Sequence, residues 1–116
     1  MEKKIELGML CDIYGNLLTQ KQRNVIDDYA NQDLSLTEIA QNNKTTRQAI
    51  NDIVKKGEAR LLQYEQKLGI MKKTIEQEKL IQNVLSELSK IKDNSSDKKI
   101  ERILNSVSKE LTSLNA

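Results

Sequence analysis

The sequence predicts an all-α protein, and three observations support this fold class. Apolar residues recur every three or four positions along most of the chain, which is the spacing of one helix face. The composition is rich in Leu, Ile, Lys, Glu and Gln, which favour helices. Two segments carry the pattern of a helix N-terminal capping box. We therefore expect six helices and no strands.

The first helix is predicted over residues 2–14. Gly15 and Asn16 follow as a stop signal, because both residues tolerate a left-handed backbone. The expected buried face consists of apolar residues at helical spacing, and they are Ile5, Met9, Leu10, Ile13 and Leu17.

Capping boxes are predicted to open the second and third helices. In each box a hydroxyl side chain accepts a hydrogen bond from a backbone amide three residues later, and that later side chain reaches back. The pairs are Thr19 with Gln22 and Ser35 with Glu38. The expected apolar positions are Val25, Ile26, Tyr29 and Ala30 on the second helix, and Leu36, Ile39 and Ala40 on the third.

The fourth helix is predicted to begin after Thr45 or Thr46, since either hydroxyl can cap it. Its apolar pattern continues well past two turns, and Gly69 is a natural C-terminal stop. The expected inner face is Ala49, Ile50, Ile53, Val54, Gly57, Leu61 and Leu68.

Two further helices are predicted towards the C-terminus, one over residues 71–91 and one after Asp97, which can cap it. Residues 93–96 form a polar linker between them. Their apolar residues alternate between spacings of three and four, as in a coiled-coil seam or a packed antiparallel hairpin. These residues are Ile81, Val84, Leu88, Ile91, Ile100, Leu104, Val107, Leu111 and Leu114.

The composition excludes several classes of function. The chain has no His and one cysteine, Cys11, which excludes His-dependent triads, His metal ligands, an intrachain disulfide and a Cys-cluster zinc site. Three Tyr without Phe or Trp are too few to stack single-stranded nucleic acid. No apolar run approaches the roughly 18 residues of a membrane span. We predict a cytoplasmic, non-enzymatic protein with no catalytic residue, metal, cofactor or membrane partner.

Residues 35–54, SLTEIAQNNKTTRQAINDIV, have the arrangement of a helix-turn-helix. The small side chain of Ala40 lets the second helix cross closely, and Ile50 and Ile53 are expected to lock it against the first. Asn43 and Lys44 stand where a typical turn has an apolar residue and a glycine. Lys44 is therefore expected either to adopt a left-handed backbone, at a cost on the order of 1 kcal/mol, or to lie in a turn of different form.

The residues left outside on this second helix have the chemistry of nucleic-acid recognition. Arg can bind guanine O6 and N7, Gln or Asn can bind adenine, and Thr, Lys and the helix N-terminus suit phosphate. The alternative interpretation is an ordinary solvated helix face. The candidate nucleic-acid-binding residues are Thr45, Thr46, Arg47, Gln48, Asn51, Lys55 and Lys56.

Several motifs together are more specific than a general helix-turn-helix pattern. They are YGNLLT at 14–19 with KQ at 21–22, LSL at 34–36 with EIA at 38–40, TRQAI at 46–50, and YE at 64–65 with KLG at 67–69. With these motifs the chain resembles the YlxM-like family of small bacterial helix-turn-helix proteins, over roughly residues 1–91. That family is itself similar to the promoter −35 recognition region, region 4, of sigma factors.

The resemblance implies a regulatory binding protein linked to the signal recognition particle pathway, because family members are encoded beside the particle's GTPase. We expect a sigma region 4-like helix-turn-helix domain over residues 1–70 and a C-terminal helical extension over 71–116, a hairpin or oligomerisation segment with its linker near 93–97. The expected partner is double-stranded DNA, read by a homodimer. The alternative partners are the GTPase or RNA of the particle, bound without sequence-specific DNA reading, and a third possibility is a protein–protein module.

Overall fold

The computed structural model describes residues 1–94 and 96–114, and all regular structure in these ranges is helical, as predicted. The predicted linker residue Ser95 lies outside the described residues. One turn of 3-10 helix, Gly15–Leu17, follows the first helix. The α-helices are α1 (Lys3–Tyr14), α2 (Gln20–Ala30), α3 (Leu36–Asn42), α4 (Arg47–Leu68), α5 (Ile70–Asp93) and α6 (Lys98–Leu114).

Both predicted capping boxes are present. The amide of Gln22 donates to Thr19 Oγ1 at 3.2 Å, and the Thr19 amide donates to Gln22 Oε1 at 3.3 Å. At the start of α3 the corresponding distances are 3.1 Å from the Glu38 amide to Ser35 Oγ and 3.3 Å from the Ser35 amide to Glu38 Oε1. Each box satisfies amides that a helix start otherwise leaves free, so both helix positions are set by local sequence.

The chain divides into two compact units, Met1–Met71 and Lys72–Ala116. In the first unit, α1 packs against α2 and α4, and α3 packs against α2 and α4. The core of this unit is therefore shared by α1 to α4, the connecting residue Leu18 and Met71 at the start of α5. Its buried apolar residues are Leu7, Leu10, Cys11, Tyr14, Leu18, Val25, Ile26, Ile39, Ala40, Ile50, Val54, Leu61 and Met71.

The predicted buried face of α1 was partly wrong. Ile5 and Leu17 are 58% and 50% exposed, whereas the buried face runs through Leu7, Leu10 and Tyr14. Both sets have helical spacing, so periodicity alone did not decide which one points inward. Leu17 also lies in the 3-10 turn, whose three residues per turn shift it off the α1 stripe.

The close packing of α4 on α2 depends on Gly57. A Cβ at this position would collide with Cδ1 of Ile26, which is fully buried. The predicted inner face of α4 is confirmed at its buried residues, which are Ile50, Val54, Gly57 and Leu61. Leu68 was also predicted to lie on this face, but it is 52% exposed because it lies in the last turn of the helix.

The second unit contains most of α5 and all of α6. Ile81 and Leu104 are buried, whereas several other residues of the predicted seams are substantially exposed, Ile91 and Leu114 at more than half of their surface. Lys92 Nζ donates to Asn105 Oδ1 at 2.7 Å and so links α5 with α6. The Asp97 carboxylate accepts from the Lys99 amide at 2.8 Å, which confirms Asp97 as the cap of α6.

Candidate nucleic-acid interface

The turn between α3 and α4 is a Schellman motif with a lysine at its left-handed position. Lys44 has φ of 53°. The Thr45 amide donates to the Ala40 carbonyl at 3.0 Å, and the Lys44 amide donates to the Gln41 carbonyl at 3.2 Å. This is the pair of bonds that normally closes a helix with glycine. Of the two alternatives expected for this turn, the left-handed backbone at Lys44 is therefore the one that is present.

Asn43 compensates for the apolar residue that a typical turn would have. Its side-chain Nδ2 donates to the Ile39 carbonyl at 2.7 Å, while its own amide also donates to that carbonyl at 3.0 Å. The end of α3 is therefore secured by polar contacts rather than by an additional apolar contact between the helices.

The start of α4 is fixed by Thr46, whose Oγ1 accepts from the Ala49 amide at 3.1 Å. Of the two predicted caps, Thr46 is the one used. Its hydroxyl oxygen therefore has a structural role, whereas the Thr45 side chain is exposed beside it. The first turn of α4 is therefore held at a defined position.

The predicted lock between α3 and α4 is present in part. Ala40 and Ile50 are 4% and 0% exposed, so the small residue and its large partner are both in the core. Ile53 is only half-buried, and Val54 takes the deeper position. The reason is the helix phase, since Val54 follows Ile50 by four residues and Ile53 lies at the rim of the same contact.

The structure brings three of the candidate residues into one row along α4. Arg47, Asn51 and Lys55 are four residues apart and share one side of the helix. Arg47 and Lys55 are exposed, whereas Asn51 is half-buried. Lys56 is exposed but lies about 100° further around the helix from Lys55, so it belongs to a different side.

Gln48 lies on the exposed front of α4 but already has a partner. Its Nε2 donates to Asp52 Oδ1 at 3.1 Å, one turn along the same helix. An amide paired in this way must exchange its partner before it can bind a base edge. The Asp52 carboxylate also places a negative charge on a surface that is otherwise cationic.

A cleft of about 200 Å³ lies between the N-terminus of α1 and the middle of α4. It includes two of the candidate residues, Asn51 and Lys55, and brings lysines of α1 beside them. No motif in the sequence marks these α1 lysines as part of a site. The full lining is Lys3, Lys4, Leu7, Tyr29, Asn51, Val54, Lys55 and Glu58. We call this the α1–α4 cleft.

Within the α1–α4 cleft, the two lysines of α1 have different surroundings. Lys4 Nζ donates to Asp33 Oδ1 at 2.9 Å and lies 4.4 Å from the centre of the Tyr29 ring. The hydrogen bond from Lys4 lowers the pKa of Asp33, and the same bond raises the pKa of Lys4. Lys3 has a looser contact, with Nζ 3.8 Å from Glu58 Oε1 and its side chain 85% exposed.

Cys11 is a free cysteine on α1, and its thiol is buried in the core. It is 5% exposed, and burial raises its pKa, with a further increase from the charge of Asp27. A thiol held protonated in this way is a poor nucleophile and a poor metal ligand. Within residues 1–94 and 96–114, no group of three or more Cys, Asp or Glu side chains is arranged to hold a metal ion.

No helix among the described residues combines the length and the apolar character needed to cross a membrane.

Comparison with known proteins identifies the family of the chain. The family model described as "Putative helix-turn-helix protein, YlxM / p13 like" (UPF0122) matches residues 1–104. A UPF0122 protein of Clostridium botulinum is 51% identical over 98 residues, covering 84% of this chain and 89% of the relative. A UPF0122 protein of Clostridium acetobutylicum is 41% identical over 113 residues, covering 97% of each.

Proposed function

We propose a function from the premise that this chain belongs to the UPF0122 family of YlxM / p13 like helix-turn-helix proteins. The protein is a regulatory protein that binds duplex DNA through the N-terminal half of α4. The observation that carries the proposal is the exposed Arg47 at the first position of a helix whose start is fixed by the Thr46 cap and the Lys44 turn. A rigid scaffold that presents an exposed arginine favours recognition of a base edge over a merely solvated surface.

In the proposed complex α4 enters the major groove by its N-terminus. Arg47 is placed to bond O6 and N7 of a guanine, and Thr45 and the first amides of α4 are placed to meet a phosphate. Lys55 lies two turns behind Arg47, and we assign it a contact with the sugar–phosphate backbone. Lys56 lies on another side of the helix, and we assign it a contact with the backbone of the other DNA strand. Gln48 and Asn51 complete the proposed reading surface.

One observation favours the alternative function, an accessory role in the signal recognition particle pathway. The Gln48–Asp52 hydrogen bond weakens base reading but leaves the lysines free to bind a nucleic-acid backbone. The resemblance to the YlxM-like family implies that pathway. In this second proposal the same surface binds the particle's RNA or its GTPase without reading sequence.

The proposal also includes a cytoplasmic location. It further includes a homodimer, because helix-turn-helix proteins commonly bind two half-sites of DNA as dimers. The C-terminal extension, residues 71–116, is the segment that we assign to oligomerisation. The mass of the full chain in solution, compared with that of a chain ending at Asp93, tests this assignment, and two monomeric proteins would contradict it.

The central experiment compares Arg47→Ala with Lys67→Ala, a change at the far end of the same helix. Each variant is titrated against duplexes enriched from a random DNA library and against the particle's RNA. We expect Arg47→Ala to cost roughly 1–3 kcal/mol in specific DNA binding, and Lys67→Ala to have little effect. If no DNA sequence is enriched and both variants bind the RNA equally, DNA reading is refuted and the accessory role is supported.

A further inference from the structure

The α1–α4 cleft continues the row of candidate residues onto a second helix. Asn51 and Lys55 line the cleft and so lie on the side of α4 that faces the N-terminus of α1, and Arg47 precedes Asn51 by one helical turn. Glu58, further along the same side, is 3.8 Å from Lys3 Nζ. Lys3 therefore belongs to α1 but lies beside α4, the helix proposed to enter the major groove, and it lines the same cleft as Lys55.

The lysines of the cleft differ in how readily they can bind an anion. Lys4 is held between Asp33 and the Tyr29 ring, so its ammonium is already engaged. Lys3 has a side chain that is 85% exposed, and an exposed ion pair at 3.8 Å contributes little and is readily exchanged. Lys55 is also exposed. The two ammonium groups that can meet an anion are those of Lys3 and Lys55, with the Asn51 amide between the helices as a neutral donor.

The distances along α4 place these groups at the level of a nucleic-acid backbone. With a rise of about 1.5 Å per residue, Lys55 lies roughly 12 Å behind Arg47, and Glu58 with its neighbour Lys3 roughly 16 Å behind it. The major groove of B-DNA is about 8.5 Å deep. When Arg47 is at the base edges, Lys3 and Lys55 are therefore outside the groove, where the phosphates are.

We propose that Lys3 of α1 and Lys55 of α4 form a phosphate clamp that grips one backbone of a nucleic-acid duplex beside the groove occupied by α4. This inference rests on the proposed function and adds a helix to its contact surface. Glu58 acts against the clamp, because its carboxylate competes with phosphate for Lys3. Lys4 fixes the position of α1 through Asp33 and does not contact the nucleic acid.

The test measures the salt dependence of binding with the full chain. Dissociation constants for a labelled duplex DNA, and for an RNA duplex of the same sequence, are determined over a series of KCl concentrations. The proteins are the unmodified chain, Lys3→Gln, Lys55→Gln, Glu58→Gln and the control Lys67→Gln. Lys67 is an exposed lysine of the same helix, outside the cleft. Thermal unfolding of each variant checks that the fold is unchanged.

Each clamp lysine that neutralises one phosphate contributes about 0.9 to the slope of log K against log salt on B-DNA. We expect Lys3→Gln and Lys55→Gln each to flatten the slope by about that amount and to weaken binding roughly five- to tenfold near 0.1 M salt. Glu58→Gln is expected to strengthen binding several-fold, and Lys67→Gln to leave it unchanged. The arm that shows these effects, DNA or RNA, identifies the source of the phosphate.

The failures of the two proposals are distinguishable. If Arg47→Ala weakens DNA binding while Lys3→Gln behaves like Lys67→Gln, the proposed function stands and the clamp is refuted. If the unmodified chain binds neither duplex, both are refuted. A loss of affinity in Lys3→Gln with an unchanged salt slope would also refute the clamp, because it would indicate a change in structure rather than a lost ionic contact.

Discussion

The Tyr14 hydroxyl donates a 2.7 Å hydrogen bond to Oε1 of Glu65, joining the end of α1 to the last turns of α4. The same two groups accept the first amides of α5, from Ile70 to the Tyr14 oxygen at 3.1 Å and from Met71 to Glu65 Oε1 at 2.9 Å. The residue before α5 is Gly69, which has no side chain to cap a helix. A tyrosine and a glutamate from two other helices therefore supply the cap.

Tyr14→Phe is expected to lower the free energy of unfolding by roughly 1–3 kcal/mol, because it removes both the hydrogen bond that Tyr14 donates to Glu65 and the one that it accepts from the Ile70 amide. Urea denaturation measures the change. Tyr64→Phe is the matched control. The Tyr64 hydroxyl donates to the Leu17 carbonyl at 3.3 Å and accepts from Arg60 Nη2 at 3.1 Å, so it also makes two hydrogen bonds, but these are longer than the 2.7 Å bond from Tyr14 to Glu65 and their loss should cost less. Equal losses in the two variants would contradict the role assigned to the Tyr14–Glu65 pair.

Lys44→Gly is expected to stabilise the protein by roughly 0.5–1 kcal/mol, because glycine adopts the left-handed backbone without the steric cost of a Cβ. That gain is reduced by the greater freedom of glycine in the unfolded chain. Thermal or urea unfolding tests it. Lys44→Ala keeps the Cβ and removes the charge, so it should not stabilise, and a similar gain in both variants would assign the effect to charge instead.

Gly57→Ala is expected to destabilise the protein by about 1–2 kcal/mol even though alanine favours helices, since overpacking costs more than helix propensity returns. The new methyl group meets Cδ1 of Ile26. Ile26→Val removes that carbon, so the double variant should lose less stability than the two single losses added together. Additive losses would show that the collision is relieved elsewhere.

Lys4→Gln is expected to raise the pKa of Asp33 towards its ordinary value of 3.8, because the hydrogen bond from Lys4 is the main cause that lowers it. A lowered pKa adds stability above the unfolded value, and this stability is lost as the pH falls through the folded value. The part of the stability difference that comes from the Lys4–Asp33 bond should therefore be present above pH 3.8 and shrink as the pH falls below it. Carboxyl titration by NMR measures the pKa, with Lys3→Gln as the control that leaves it unchanged.

The parts of the fold that were predictable depend on residues close in sequence. The Thr19 and Ser35 boxes each involve a partner three residues away, so their spacing was sufficient to place two helix starts. The strained turn was predictable as one of two alternatives, because Lys44 stands at a position that normally requires glycine. The two helix starts were thus determined by local sequence, whereas the turn was only narrowed to two forms.

The parts that could not be predicted depend on packing between distant segments. The spacing of Ile5 fits a buried face as well as that of Leu7 does, and only the positions of α2 and α4 around α1 choose between them. Gly57 was noted only as part of an apolar face, because its contact with Ile26 joins residues from two helices. Lys3 gave no sign of a site, since its place beside Glu58 exists only in the folded unit.

The contrast between the capping boxes and the Tyr14–Glu65 bond has a consequence for the order of folding. The boxes close between residues three apart, whereas the Tyr14–Glu65 bond joins residues 51 apart. Loop closure over the longer separation costs more entropy, and local contacts form faster. We expect the starts of α2 and α3 to be structured early on the folding pathway, and the start of α5 to become ordered only after α1 and α4 have come into contact.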